Sequence, residues 1–324
     1  MRTPYQLIAL ALAVSATLTA CLGSGQDRVL GIEATGTVQG LVYFDANGTR
    51  EPEDTDPPLA NIGLRLVAGG SRDTIARADT DADGRFRLPR IPVGSYEVVV
   101  DPATVEDSVQ VVKIVNGDFT LQPDDSVSIV VAVSFPKVTI ELARSLPVGD
   151  RVFIEGVALN AWETFGDLTV HVADLTGALR ATRVRPTSLI PGDGIRFQGI
   201  IGTQAGQPTL EDVIPLVIAV AGLPPAQRLN TATAANADTG RLDAGLVEVA
   251  VATILSTVTV AGDIILTVND GSGNLEVVLD KDVRLTDTAP FISGAVIDAV
   301  GLLVPNGFGA WRLKPRSDDD LKLR

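Results

Sequence analysis

Histidine and cysteine each occur once in 324 residues, as His171 and Cys21. That scarcity removes Zn2+ sites built from several His and Cys ligands, and it removes disulfide stapling. Catalysis is starved in the same way. A Ser–His–Asp triad has only His171 to draw on, and no Gly-x-Ser-x-Gly elbow accompanies it. His171 alternates with Val170 and Val172, which assigns it to the less buried face of a strand. There is no Gly-x-x-x-x-Gly-Lys and no Gly-x-Gly-x-x-Gly between strand and helix, so no phosphate-binding loop is encoded. Acids abound, but no spacing singles out a pair for general acid–base work. Aromatics make up 4% of the chain, and 26 basic residues face 40 acidic ones for a net charge of -14. A nucleic-acid surface needs the opposite balance, which argues against nucleic acid as a partner. Long apolar runs are missing too. The longest beyond the N-terminal stretch, Val213 to Leu223, is broken by Pro215 and falls short of the ~20 residues a membrane-spanning helix needs.

What is present begins with the surroundings of Cys21. A basic start (Met1-Arg2) precedes an apolar stretch from Leu7 to Leu18, then Leu18-Thr19-Ala20-Cys21. The apolar stretch has the length of a signal-peptide core, about a dozen residues. The four residues ending at Cys21 resemble the lipobox of bacterial lipoproteins. The alternative is an ordinary secretory signal with a coincidental cysteine. The resemblance implies that Cys21 is lipidated and becomes the new N-terminus. It also implies a diacylglyceryl group, usually with an added N-acyl chain; stable anchoring takes more than one chain. Leu22, not Asp, follows the cysteine. By the sorting rule of enteric lipoproteins this favours the outer membrane, with the periplasmic and surface faces both open. Residues 1–20 thus read as a signal peptide and 21–35 as a tether.

Beyond the tether the pattern is β throughout. Val38 to Phe44, Gly63 to Val67 and Ser95 to Val100 have strand length, alternate, and end at Gly, Pro or Asp. Turn signals such as Asn47-Gly48, Asp83-Gly84, Asn116-Gly117 and Asp270-Gly271 recur at short intervals. That rhythm predicts an all-β chain of sandwiches and barrels. Only Val138 to Leu146 and Leu229 to Ala237 offer short helices. Breaks at Pro136 and at Gly222 to Gln227 divide the mature chain into 36–136, 137–226 and 227–324.

Two passages in the first segment carry a resemblance. Gly40 to Gly48 followed by Pro58 to Leu66 is one; Thr80 to Val98, with Asp83-Gly84, Phe86, Leu88, Gly94 and Tyr96, is the other. Together they resemble the SD-repeat B and carboxypeptidase-regulatory-like group of transthyretin-like β-sandwiches. The resemblance implies a stalk, spacer or binding module. Some members bind Ca2+ through Asp-rich loops. Here Asp79, Asp81 and Asp83 precede Gly84, but the twelfth loop position is Arg90, not the Glu of a complete EF-type loop. Asp45 and Asn47 open a second acidic loop. Two readings stand: solvated turn acids with no cofactor, or a Ca2+ site of Asp45, Asn47, Asp79, Asp81 and Asp83. Other members form a Lys–Asn isopeptide bond; no Lys occurs between Cys21 and Lys113, so that chemistry is not expected.

The second segment opens with Val138 to Val157: a short helix, a Pro-Val-Gly-Asp turn, then a strand. It resembles the OB-fold domains of secreted bacterial proteins, including modules attached to nucleases. The third segment repeats its landmarks. Ile264 to Gly273 matches the strand–Asp–Gly hairpin of Val170 to Gly177, and the ending Leu313-Lys314-Pro315-Arg316-Ser317 to Leu321 resembles the tail of tandem modules of this kind. The expected fold is therefore an Ig/transthyretin-like β-sandwich followed by two OB-like β-barrels. OB-folds bind on the face of strands 2 and 3. The candidate ligand surface is Trp162, Arg180, Arg183 and Arg185 in the first barrel and Arg312, Lys314 and Arg316 in the second; solvated strand faces are the alternative. The expected function is a lipid-anchored cell-envelope binding or scaffold protein without catalysis. Its expected partners are the membrane and an envelope protein or polysaccharide. The rival is an accessory carbohydrate- or nucleic-acid-binding module serving a partner enzyme.

Overall fold

Alternating side chains dictate the architecture from residue 34 onward. The computed structural model describes residues 34–283 and 285–324; Cys21, the signal segment and all but the end of the tether lie outside the described residues. The chain is all-β, a sandwich followed by two barrels.

The sandwich comprises β1 (Thr35–Phe44), β2 (Gly63–Ala68), β3 (Thr74–Asp79), β4 (Arg85–Pro92), β5 (Gly94–Val100), β6 (Gln110–Val115), β7 (Asp118–Leu121) and β8 (Ser126–Ser134). One sheet runs β4-β1-β8-β6 and the other β3-β2-β5-β7, with β1 and β8 parallel. Period-two burial fixes the register. In β4, Phe86, Leu88 and Ile91 face the core while Arg85, Arg87 and Arg90 face water. In β5, Tyr96, Val98 and Val100 fill the core from the opposite sheet. Gly84 closes the turn between β3 and β4 at φ +70°, and a Cβ there would strike the Val42 carbonyl. Only glycine meets both demands.

The first barrel comprises β9 (Lys137–Val138), α1 (Ile140–Ala143), β10 (Arg151–Ala158), β11 (Val170–Ala173), β12 (Ala178–Thr182), β13 (Asp193–Gln204) and β14 (Gln207–Val220). The second comprises β15 (Gln227–Leu229), α2 (Thr231–Ala235), β16 (Leu246–Val260), β17 (Asp263–Asn269), β18 (Asn274–Leu279), β19 (Val296–Pro305), β20 (Trp311–Lys314) and β21 (Leu321–Leu323). The first closes in the order β10-β11-β12-β14-β13 and back to β10, with β12 and β14 parallel. The second closes as β16-β17-β18-β20-β19 and back to β16, with β18 and β20 parallel. These are one five-stranded OB-like topology, built twice.

The helices have four and five residues, too short to persist unaided. Each is clamped by its hairpin acid. Asp174 accepts from Ile140 N at 2.9 Å and from the Thr176 and Gly177 backbone. Asp270 accepts from Thr231 N at 3.1 Å, from the Thr231 hydroxyl and from Ser272. The repeated hairpin is thus the lock that seats each helix on its barrel. The apolar run Val213 to Leu223 proves to be the outer half of β14 and the chain after it, with Ile218 44% and Val220 89% exposed. No described helix is long and apolar enough to cross a membrane.

Candidate functional site

The acidic loops are structural where their contacts are defined. Asp45 is fully buried, and its two carboxylate oxygens accept from Thr49 N and Arg50 N, each at 3.0 Å. Asn47 donates to Glu53. Asp56 accepts from Ala46 N and Glu53 N. Asp81 accepts from Asp83 N and Arg85 N, closing the turn. Asp79 and Asp81 share an open groove with Arg85 and Arg87, cations where a cation site would want acceptors. Among the described residues, no three His, Cys, Asp or Glu side chains are grouped to hold a metal ion.

The first acidic loop instead joins the sandwich to the first barrel. Arg196 donates to the Gly48 carbonyl and pairs with Glu155 at 2.6 Å. Lys137 reaches the same carboxylate at 2.9 Å. Burial opposes ionisation of Glu155, but Lys137 and Arg196 outweigh it and hold the carboxyl below its ordinary value. Phe135 lies between Phe44 and Phe153, with ring centroids 5.0 and 6.3 Å away, and completes the joint.

A second junction lies between the barrels, and there a cleft of about 380 Å³ opens. The outer face of β11 and β12 forms one wall. Val170, Val172, Leu179 and Ala181 point into the barrel, which turns His171 and Arg180 outward. The outer face of β18 and β20 forms the other wall: Leu275, Val277, Trp311 and Leu313 point inward, leaving Val278, Arg312 and Lys314 for the cleft. Phe165, Asp167, Gln204 and Asp263 also line it.

His171 corrects an expectation. It is 2% exposed rather than on an open face, because the second barrel covers the outer side of β11 and Phe165 packs edge-on to its ring at 6.2 Å. Its tautomer follows from Asn160. The Asn160 amide nitrogen donates to the Ala161 and Thr169 carbonyls, so its oxygen receives the His171 backbone N–H at 2.7 Å and the ring Nδ1–H at 3.1 Å. Nε2 is left as a lone-pair acceptor, buried and without a hydrogen-bond partner. Burial, then Arg180, Lys314 and Arg316, holds the ring well below its ordinary pKa and therefore neutral.

Arg180 is 5% exposed. Its terminal nitrogens meet the Gln204 side chain and carbonyl at 3.3 and 3.2 Å, while its Nε–H has no partner. Beneath it, fully buried Asp243 accepts from Trp311 Nε1 at 2.7 Å and lies 3.6 Å from Arg180 and 3.8 Å from Arg144. Burial raises the Asp243 carboxyl, opposed by Arg180 and Trp311. Arg312 Nε is likewise without a hydrogen bond, its nearest carboxylate being Glu276 at 3.8 Å. Lys314 pairs with Asp280 at 2.6 Å and sits 4.2 Å over the Phe165 ring.

Of the sequence-nominated ligand surface, the structure brings Arg180, Arg312 and Lys314 together. Arg316 is a strut, forked onto Asp320 and donating across to the Leu159 carbonyl at 2.7 Å. Arg183 is exposed and bound to Glu211 and Asp212. Arg185 is exposed and outside the cleft lining. Trp162 packs on the first barrel's core and donates to the Val184 carbonyl. Sequence reasoning passed over Asn160, Gln204 and Asp243, whose roles depend on partners 11 to 68 residues away.

No family model matches the chain. Colossin-A of Dictyostelium discoideum is 30% identical over 74 residues, which is 23% of this chain and 1% of that protein; the chain spans a very small part of the relative's length. Among solved structures, the hypothetical protein ygiW from E. coli overlaps 26% of this chain and 97% of its own at 17% identity and a TM-score of 0.23. A murine DNA binding protein bound with ds DNA overlaps 53% and 97% at 12% identity and a TM-score of 0.30. The p204 HINb domain overlaps 52% and 94% at 17% identity and a TM-score of 0.27. Overlaps this distant say nothing about a ligand.

Proposed function

We propose that the protein is a non-catalytic binding and scaffold protein of the bacterial cell envelope, anchored by lipid on Cys21 and sorted to the outer membrane. In this reading the sandwich is an SD-repeat B or carboxypeptidase-regulatory-like spacer, and the paired barrels present the binding surface. One observation supports the binding part of this reading: the cleft between the barrels collects buried hydrogen-bonding groups that the protein itself leaves unpaired, namely His171 Nε2, Arg180 Nε and Arg312 Nε. Such groups are costly to leave unmade and mark a place for a ligand.

The same groups favour binding over chemistry. An activated imidazole base has a carboxylate behind it; His171 has the Asn160 amide, and neighbouring cations weaken it further as a base. A nucleic-acid groove combines continuous positive charge with stacking aromatics; here Asp167 and Asp263 interrupt the cations.

Two experiments test the proposal. Cys21→Ser abolishes incorporation of labelled palmitate and releases the protein from the membrane fraction; unchanged membrane retention refutes the anchor. The full chain in detergent is screened against envelope glycans, simple anions and short oligonucleotides, beside Arg312→Gln. Binding to at least one probe that the variant weakens is expected. A profile in which no probe distinguishes the two proteins refutes the cleft as a binding site.

A further inference from the structure

The first acidic loop is occupied by its own backbone N–H groups, and the joint between sandwich and barrel is filled by Arg196 and Phe135. The cleft itself allows a sharper statement about its ligand, which rests on the binding reading above.

We propose that the cleft takes a short acidic saccharide: a hydroxyl-rich ligand of one or two sugar units, each carrying a carboxylate, of the uronic-acid class. Arg180 Nε–H and Arg312 Nε–H are donors in need of an acceptor. A carboxylate supplies two acceptor oxygens and suits a guanidinium in geometry and charge. His171 Nε2 is the reverse, an acceptor in need of a donor, because Asn160 fixes the proton on Nδ1. The carboxylates of Asp167 and Asp263 also accept rather than donate. A ligand made only of anionic oxygens leaves His171 unmet and meets two like charges. A neutral sugar offers hydroxyl oxygens to both arginines but no charge, and a neutral acceptor binds a guanidinium about half as strongly as a carboxylate. A sugar acid answers both sets at once.

Charge sets the length of the ligand. Arg180 and Arg312 line the cleft with one unmet Nε–H each, which limits the carboxylates it can take to two. Lys314 is held by Asp280 at 2.6 Å, whereas the carboxylates nearest Arg180 and Arg312, those of Asp243 and Glu276, stand at 3.6 and 3.8 Å and leave both Nε–H groups without a hydrogen bond. Beyond the cleft the chain carries its net charge of -14. A run of phosphates or uronates leaving the site is therefore repelled within a Debye length of about 8 Å. Size and shape agree. About 380 Å³ lies within the usual range of small-ligand sites, ~300–1,000 Å³. Val278, Val304 and Pro305 add an apolar patch against which the C–H face of a sugar ring can rest.

The test is calorimetric titration of the full chain in detergent with digalacturonate, galactobiose, acetate, inorganic phosphate and a short DNA duplex. Digalacturonate is expected to bind, with galactobiose and acetate each at least about tenfold weaker, the size of one lost charge-assisted contact. Arg312→Gln weakens digalacturonate by a similar factor and leaves galactobiose unchanged. His171→Phe removes the acceptor and weakens the sugar but not acetate. Should that variant fail to fold, the wild-type His171 Nε2 resonance serves instead, since the chain has no other histidine; it shifts on adding digalacturonate. Equal binding of galactobiose overturns the carboxylate, and equal binding of acetate or phosphate overturns the hydroxyls. A DNA duplex that binds, is weakened by Arg312→Gln and outcompetes digalacturonate overturns the saccharide class while leaving the binding reading intact. No heat and no resonance shift with digalacturonate overturns the saccharide proposal, and the wider glycan and oligonucleotide screen then decides the binding reading separately.

Discussion

The two barrels share a topology and a hairpin lock, yet their outer faces differ residue by residue. Aligned on the lock acids Asp174 and Asp270, His171 falls opposite Thr267 and Arg180 opposite Glu276. Through the parallel pairings, Arg312 of the second barrel matches Thr209 of the first, and Lys314 matches Glu211. The cleft is thus made from one face of each barrel, and neither repeat carries the whole set. His171, Arg180, Arg312 and Lys314 meet because the barrels pack β11–β12 of one against β18–β20 of the other. A duplicated fold gives two inequivalent walls, and divergence of four positions makes a site that two identical barrels would not form.

The largest way to break this arrangement is at Asp243. It is fully buried and shared by Arg144 and Arg180 of the first barrel and Trp311 of the second. Removing one partner of a buried ion pair leaves uncompensated charge. Asp243→Asn is expected to lower the unfolding free energy by about 3 kcal/mol in urea titrations. A loss under about 1 kcal/mol means that the barrels are joined by the apolar contacts of Leu159, Phe165, Leu246 and Leu302 instead.

The hairpin locks sharpen the comparison at the level of the repeat. Asp174→Ala and Asp270→Ala each release a helix start, and each is expected to cost ~1 kcal/mol, the usual value of a lost N-terminal cap. Burial alone would raise the Asp270 carboxyl, but hydrogen bonds from Ser272 and Thr231 outweigh it and hold it down at about 2. The sign follows. A carboxyl held below its ordinary 3.8 in the folded state stabilises the fold above that pH, and the contribution disappears as pH falls through about 2. Acid titration of the wild type and Asp270→Ala should converge across that window. Curves that stay parallel show that the lock does not depend on the charge.

Much of this was legible in the sequence, for physical reasons. The alternation of Phe86 and Leu88 against Arg85 and Arg87 is a local signal, as are the Asp83-Gly84 turn and the two strand–Asp–Gly hairpins. Sandwich, barrels and short helices follow from such signals. The cleft does not. Arg180 and Arg312 are 132 positions apart, and what unites them is the packing of two closed barrels, which no local period encodes. The same packing buried His171. Alternation correctly turned its side chain out of the first barrel, but it could not reveal that a second barrel stood there. Asp45 shows the converse: an acid in a turn-rich loop invites a cation, whereas its fully buried carboxylate is used by Thr49 and Arg50 N–H groups four and five residues on.

His171 supplies a prediction that perturbs nothing. Arg180, Lys314 and Arg316 face the ring, and burial excludes the water that would stabilise an imidazolium. Nitrogen-detected spectra of the wild type should show a neutral ring protonated on Nδ1, with no titration near pH 6.5. A midpoint at 6.5 would mean that the ring is hydrated and that the barrels do not close over it.

The smallest effect is expected at Arg183, and it separates sequence proximity from a shared site. Arg180 and Arg183 lie three residues apart, one in the middle of β12 on its buried outer face and the other just past the strand in solvent. Arg183 makes good ion pairs with Glu211 and Asp212, at 2.7 and 2.6 Å, yet both partners are available to water and salt. Arg183→Ala should leave the unfolding midpoint and digalacturonate binding unchanged, while Arg180→Gln impairs both. Loss of binding in Arg183→Ala would extend the ligand surface out along the loop after β12 and undo the restriction of the site to the space between the barrels.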